Sequence, residues 1–337
     1  MTKLKVERIS TDDEIGRAIH EKIVCDYCQS YVLVGDERTC IPEQYLQFAD
    51  EIQNFEVKND DIWVASYPKT GTTWTQEMVW MIANNLDFEG GKEPLGSRFP
   101  FFEVSTLFDQ KKVYTAIELK EDEYNLNSVE FAAKQKSPRF IKTHLPFSLL
   151  PDQIKNGTKS PKIIYVWRNP KDTCVSYYHH GTLFQGWRTD LETFAEIFMA
   201  DKAMYGSYWK NIFGYWEHRN SPNILFIKYE DMKTNLPSVI RQVAKFLEKD
   251  LTDEQIELLT KHLSFESMKN NPSVNFETYL ERLRRSNFVV KDGSFIRTGV
   301  VGKYKEELSP EIVKKLDEWI KKNVTGTSFE QEYNFNL

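Results

Sequence analysis

Cysteine is scarce in this chain, with four in 337 residues, too few for a disulfide scaffold. Long apolar runs are missing too. No stretch approaches the roughly 20 residues of a membrane-spanning helix, and the polar segment Met1–Lys22 lacks the apolar centre of a signal peptide. The expectation is a cytoplasmic protein with no membrane partner. Nor is positive charge in excess: 44 Lys and Arg face 50 Asp and Glu, a formal charge of −6. A net anion does not attract nucleic acid or acidic lipid, so an anionic ligand needs a local basic site. Internal repeats and low-complexity linkers are absent as well, which leads us to expect one domain over residues 1–337, with 1–44 as an N-terminal extension.

One CxxC is present, Cys25 and Cys28, with His20 and Cys40 nearby. There is no second CxxC and no strand leading into it, so neither a zinc site nor a redox motif is expected. A helix from about Thr11 to Tyr31 would place both cysteines on one face as ordinary packing.

Aromatic side chains are plentiful, at 14% of the chain with 22 Phe, 16 Tyr and 8 Trp. They suit a large core or a pocket that grips flat ligands. Four short runs rich in Ile, Val, Phe or Tyr read as strands: 61–66, 139–143, 162–167 and 224–228. Helical periodicity follows at 76–85, 191–217 (broken near Gly206 or Gly214), 236–247, 252–263 and 310–322. Alternating strands and helices imply an α/β fold with a central parallel sheet covered by helices on both faces. In such sheets ligands bind beyond the carboxyl ends of the strands. Residues 103–136 carry no strand signal and are rich in charge, so they read as a surface insertion, either a lid or a disordered excursion.

The first strand runs directly into Tyr67-Pro-Lys-Thr-Gly-Thr-Thr-Trp74, after which a helix begins. Gly71 permits a tight turn, and the first helical N–H groups are unpaired and lie at the positive end of the helix dipole. Lys69 adds a point charge, and Thr70, Thr72 and Thr73 add hydroxyls. Thr72 or Thr73 also suits the N-cap of the helix. This P-loop-like turn is not a Walker A motif, because Lys69 precedes the glycine rather than following it. No acid is well placed to hold magnesium, and no metal is expected.

The third strand ends in Arg168-Asn-Pro-Lys-Asp172, with Ser176 two helical turns on. Arg168 is placed either for a bidentate phosphate contact or for pairing with Asp172. The second strand ends in Lys142-Thr-His-Leu-Pro146, bringing His144 to the same sheet edge. A histidine there is either structural or a base for an acceptor hydroxyl. Phe99, Phe101, Phe102, Phe147 and Tyr178 are the aromatic candidates for a substrate pocket.

Taken in order, the loop 67–74, Lys142–Pro146, Arg168–Asp172 with Val175-Ser-Tyr-Tyr178, Tyr229-Glu-Asp-Met232 and Arg297–Gly302 resemble the cytosolic sulfotransferases over residues 45–325. The resemblance implies 3′-phosphoadenosine 5′-phosphosulfate (PAPS) as donor, 3′-phosphoadenosine 5′-phosphate (PAP) as product, and a small hydroxyl compound as acceptor. It further implies that 69–73 hold the phosphosulfate, that Trp74, Tyr229, Ser264, Phe265 and Met268 contact adenine, and that Arg168, Ser176, Arg297, Thr298 and Gly299 hold the 3′-phosphate. His144 would be the base, with Lys69 and Lys142 beside the sulfuryl group. Two departures stand out. Thr298 occupies the place of a family lysine, and the family's dimer segment is altered at Pro310 and Lys314, which leaves the expectation of a monomer or weak homodimer. The segment 103–136 with 73–80 and 82–89 is also similar to the retinol dehydratase branch, in which transient sulfonation leads to a dehydrated product.

Overall fold

The computed structural model describes residues 4–25, 27–116, 123–285 and 293–333. Seven strands form two sheets among the described residues. β1 (Val6–Arg8), β2 (Tyr31–Val34) and β3 (Thr39–Pro42) make an antiparallel meander in that order. β4 (Ile62–Ala65), β5 (Phe140–Thr143), β6 (Lys162–Trp167) and β7 (Ile224–Lys228) make a parallel sheet in the order β5-β4-β6-β7. Each of these four strands coincides with an apolar run read from the sequence, β6 and β7 to the residue.

The sheet is apolar on both faces, which is why its strands read as continuous apolar runs rather than alternating ones. Ile62, Val64, Ile164, Val166 and Ile227 point to one side, into a core closed by the helices Thr72–Ala83, Leu236–Phe246 and Asp253–His262. Trp63, Ala65, Ile163, Tyr165 and Trp167 point to the other, under Pro170–Phe184, Leu191–Met199, Tyr208–Trp216 and Pro310–Val324. Val32, Val34 and Ile41 of the N-terminal meander join this second core. Ala65 pairs with Thr143 on one side and Tyr165 on the other, so the carboxyl ends of the middle strands are nearly level.

Two expectations are corrected. The helix placed over 11–31 stops early: Glu14–Ala18 continues as a wider π turn, Ile19–Ile23, and Val24 is extended. Cys25 and Cys28 then exchange backbone hydrogen bonds of 3.0 and 3.1 Å across a tight turn, so the spacing reports a chain reversal and not a helix face. The segment after Phe102 is not a polar surface excursion in its described parts. Helices Gln110–Ala116 and Ser128–Lys134 bury Val113, Tyr114, Val129 and Ala132, and Ser128 donates its hydroxyl to the Phe102 carbonyl at 2.7 Å. Apolar residues one turn apart had been masked by the charges between them. Residues 117–122 of that segment lie outside the described residues. The helix read over 191–217 is interrupted between Met199 and Tyr208, with Gly206 directly before the N-cap Ser207 of the second part.

At the amino edge of the sheet, Arg139 and Asp61 form a bidentate pair with both bonds at 2.7 Å. Arg139 also reaches the Glu56 carbonyl, and Asp61 accepts from the Lys58 backbone N–H. Both side chains are almost wholly buried, so removing one charge strands the other. Asp61→Asn is expected to lower stability in urea unfolding by about 3 kcal/mol, and replacing both residues with apolar ones of similar volume is expected to recover most of that loss.

Candidate active site

The turn after β4 is built from two residues with positive φ, Lys69 at 70° and Gly71 at 108°. Only glycine fits the second. A Cβ there would lie 2.7 Å from the Tyr229 ring. Gly71, not a threonine, is the N-cap of the helix Thr72–Ala83, and it offers no side-chain cap. The leading N–H groups of that helix thus remain to be satisfied from outside it. Thr70 does not line the cavity; its buried hydroxyl lies 2.9 Å from the carbonyls of both Tyr67 and Val166 and ties the turn to β6.

Over this turn lies a cavity of about 210 Å³, and the contacts along its wall fall into two groups. In the first, Lys69 sits 4.1 Å over the Phe295 ring and Lys142 sits 3.8 Å over Phe101. Phe101 meets the His144 ring edge-on at 5.0 Å, and Tyr205 meets it from another side at 5.5 Å. In the second, Trp74 meets Tyr229 edge-on at 5.7 Å and donates its indole N–H to the Leu263 carbonyl. Arg168 lies 4.3 Å over the same tyrosine. Ser176, Phe265, Met268, Arg297, Thr298 and Gly299 also line the wall.

His144 is held by bonds on both its backbone and its ring. Its Nδ1 lies 2.8 Å from the Ser66 carbonyl. A carbonyl only accepts, so Nδ1 carries the proton and the Nε2 lone pair is left for the cavity. Burial, then the charge on Lys142, pushes the imidazole pKa well below its ordinary value. Glu103, fully buried, accepts from the His144 backbone N–H at 2.7 Å and from the Thr143 hydroxyl at 2.9 Å. Its carboxylate stands where a neighbouring strand's carbonyl would otherwise continue the ladder beyond the bridge between Phe101 and Lys142.

The cations share one environment. Burial lowers Lys69 to about 7, with Lys142, Arg168 and Arg297 adding to the effect. Lys142 falls to about 8 by burial, against the opposing pull of Glu103. Arg297 pairs with Glu307 at 2.6 Å, and Glu307 also meets His179. Arg168 is 3.9 Å from Asp172, a loose contact, because Asp172 instead accepts from the backbone N–H of Gly302 at 2.7 Å and of Tyr304. Arg168 Nη2 reaches the Val300 carbonyl, whereas its Nε is buried without a partner.

Of the five aromatic pocket candidates only Phe101 lines the cavity. Phe99 packs on Phe140 in one core and Phe102 on Trp63 in the other. Phe147 stacks on His218 at 4.0 Å, beside Ile163 and Ile224 where β6 and β7 begin. Tyr178 packs against Phe194 of the Leu191–Met199 helix. Ser264 uses its hydroxyl to cap the helix Phe265–Asn270. Conversely, Glu103, Lys233, Tyr205, Met204 and Phe295 were not anticipated. Glu103 directly after Phe99-Pro-Phe-Phe102 is the one sequence signal among them, since a carboxylate in an apolar setting needs buried donors.

The chain matches the family described as "Sulfotransferase domain" over residues 59–328. It belongs to the sulfotransferases. The sulfotransferase is 50% identical over 328 residues to luciferin sulfotransferase of Photinus pyralis, covering 97% of this chain and 89% of that protein. It is 35% identical to an amine sulfotransferase of Oryctolagus cuniculus over 290 residues, covering 83% and 85% of the two chains. A crystal structure of retinol dehydratase with androsterone and the inactive cofactor PAP superposes with a TM-score of 0.87 at 30% identity, covering 97% of each chain. The sulfotransferase uses PAPS as its donor. The wall suits such a polyanion: the helix start lacks a side-chain cap, the cations are partly or wholly withdrawn from solvent, and the Arg168 Nε awaits an acceptor.

The charge arrangement gives two expected outcomes. In the free enzyme Lys69 loses its proton as pH rises through about 7, and a bound polyanion favours the charged form. PAP binding at about pH 8 should therefore take up a proton, and this uptake should fade toward about pH 6. Calorimetry in HEPES and Tris buffers reads it directly, and Lys69→Met should remove most of it. Glu103→Gln keeps an acceptor for the His144 N–H but deletes the charge; kcat should fall about tenfold while PAP affinity stays within about twofold.

Proposed function

We propose that this sulfotransferase transfers the sulfuryl group to the hydroxyl of a small, largely apolar or phenolic acceptor by in-line displacement, with His144 as the base. The observation that carries the reading is the His144 Nε2 lone pair, aimed into a cavity walled by Phe101, Leu107, Met204, Tyr205 and Phe295. Such a wall suits an apolar body, with the imidazole as a polar partner for its hydroxyl beside Lys142, His180 and Gln185.

When bound, PAPS supplies the sulfuryl group and a phosphate leaving group. In this reading Lys69, Gly71, Thr72 and Thr73 hold the phosphosulfate end, and Trp74, Tyr229, Phe265 and Met268 hold adenine. Arg168, Ser176, Arg297, Thr298 and Gly299 hold the 3′-phosphate. His144 takes the acceptor's proton as its oxygen bonds to sulfur, and Lys69 meets the charge that develops on the leaving oxygen as the old S–O bond breaks. Lys142 steadies the transferring group. The locked Nδ1–H keeps the ring in the tautomer this requires. The free thiols of Cys28, Cys40 and Cys174 support a reducing, cytoplasmic setting.

An acceptor screen by mass spectrometry, begun with luciferin, retinol, androsterone, simple phenols and amines, tests the class of acceptor. A sulfated hydroxyl product supports the reading, a dehydrated product favours transient sulfonation, and PAP binding without any turnover makes the chain a nucleotide-binding protein only. With an active acceptor in hand, His144→Ala should lower kcat by about 10²- to 10⁴-fold while PAP affinity holds; a His144→Ala enzyme with normal kcat overturns the assignment of the base.

A further inference from the structure

The 3′-phosphate group of residues appears one cation short in the sequence, because Thr298 stands where the family carries a lysine. The fold brings another to that place. Lys233 is reached through the short helix Tyr229–Thr234 that follows β7, far from Thr298 along the chain. It lines the same cavity as Arg168, Trp74, Phe265 and Arg297. Its Nζ lies 3.8 Å from the point where a Cβ on Gly299 would stand, and 5.8 Å from the centre of the Trp74 ring. Gly299 is the residue after Thr298, so the ammonium occupies space next to the position from which a lysine at 298 would extend.

Two further observations point to a ligand there. Among the described residues no carboxylate pairs with Lys233. Partial burial and the neighbouring Arg168 charge hold its pKa below the ordinary lysine value. And Arg168, the cation beside it, keeps a buried Nε with no acceptor. Like charges gathered with few counterions mark a place for an anion. Arg297 is compensated by Glu307 and Arg168 only loosely by Asp172 at 3.9 Å, which leaves Lys233 as the cation of this group with no carboxylate partner among the described residues.

We infer that Lys233 is a ligand of the nucleotide's 3′-phosphate and replaces the lysine lost at Thr298. This rests on reading the Arg168, Ser176 and Arg297 group as the 3′-phosphate seat. Lys233 reaches that seat from β7, whereas the family lysine reaches it from the 297–302 loop. The compensation is one of position as well as charge.

Isothermal titration with PAP and with AMP, which lacks the 3′-phosphate, separates the two levels. Wild-type enzyme should prefer PAP by at least about a hundredfold; equal affinity for PAP and AMP would mean that the seat itself has been misread. Given that preference, Lys233→Gln should weaken PAP about tenfold and leave AMP within about twofold. Retained AMP affinity also reports an intact fold. Thr298→Lys in the Lys233→Gln background should restore PAP affinity. A Lys233→Gln enzyme that binds PAP like wild type overturns the inference, as does equal weakening of PAP and AMP.

Discussion

Buried positive charge at one edge of a parallel sheet is the constraint on which this structure depends. Lys69, Lys142, Arg168 and Arg297 face one cavity at the ends of β4, β5 and β6 and on the loop that returns over them. Removing several like charges from water is costly, and their mutual repulsion favours opening the edge. The fold resists because the sheet that carries or adjoins Lys69, Lys142 and Arg168 is held from both sides. Two separate cores grip the sheet, and the Arg139–Asp61 clamp closes its amino edge. Glu103 and Glu307 offset the cations locally, as Asp172 does more loosely at 3.9 Å from Arg168, and the two glutamates also fix a neighbour each: Glu103 the His144 backbone, Glu307 the Arg297 side chain.

That field shapes the chemistry available to His144. Burial, and then the charges on Lys142 and Lys69, disfavour an imidazolium and keep the ring neutral. A neutral ring is free to accept a proton, yet the same field makes it a weak base. An anion seated among Lys69, Lys142 and Arg168 screens the repulsion and raises the basicity of the imidazole. Under the proposed role of His144 as the base, occupancy of the donor site strengthens that base.

Much of this could be read from sequence wherever a residue's role follows from its place on one element. β6 and β7 were legible because strands buried on both faces leave uninterrupted apolar runs. Lys69, His144, Arg168 and Tyr229 were legible because each directly follows a strand, and a parallel sheet gathers those ends. Glu103 and Lys233 were not, since their meaning lies in contacts with residues distant in sequence. The pocket aromatics failed for a different reason: neighbours such as Phe101 and Phe102 face opposite ways once the chain is extended, and composition carries no direction. The cysteine pair failed because a backbone reversal and a helix face share the same spacing.

The buried Nε of Arg168 has a meaning beyond recognition. A donor withdrawn from water and given no acceptor is a free-energy cost the empty protein bears continuously, and the neighbouring lysines add theirs. Occupancy removes that cost, and a ligand bound only by the folded chain shifts the folding equilibrium in proportion to its concentration. The stability of the fold therefore rises with the concentration of donor or product.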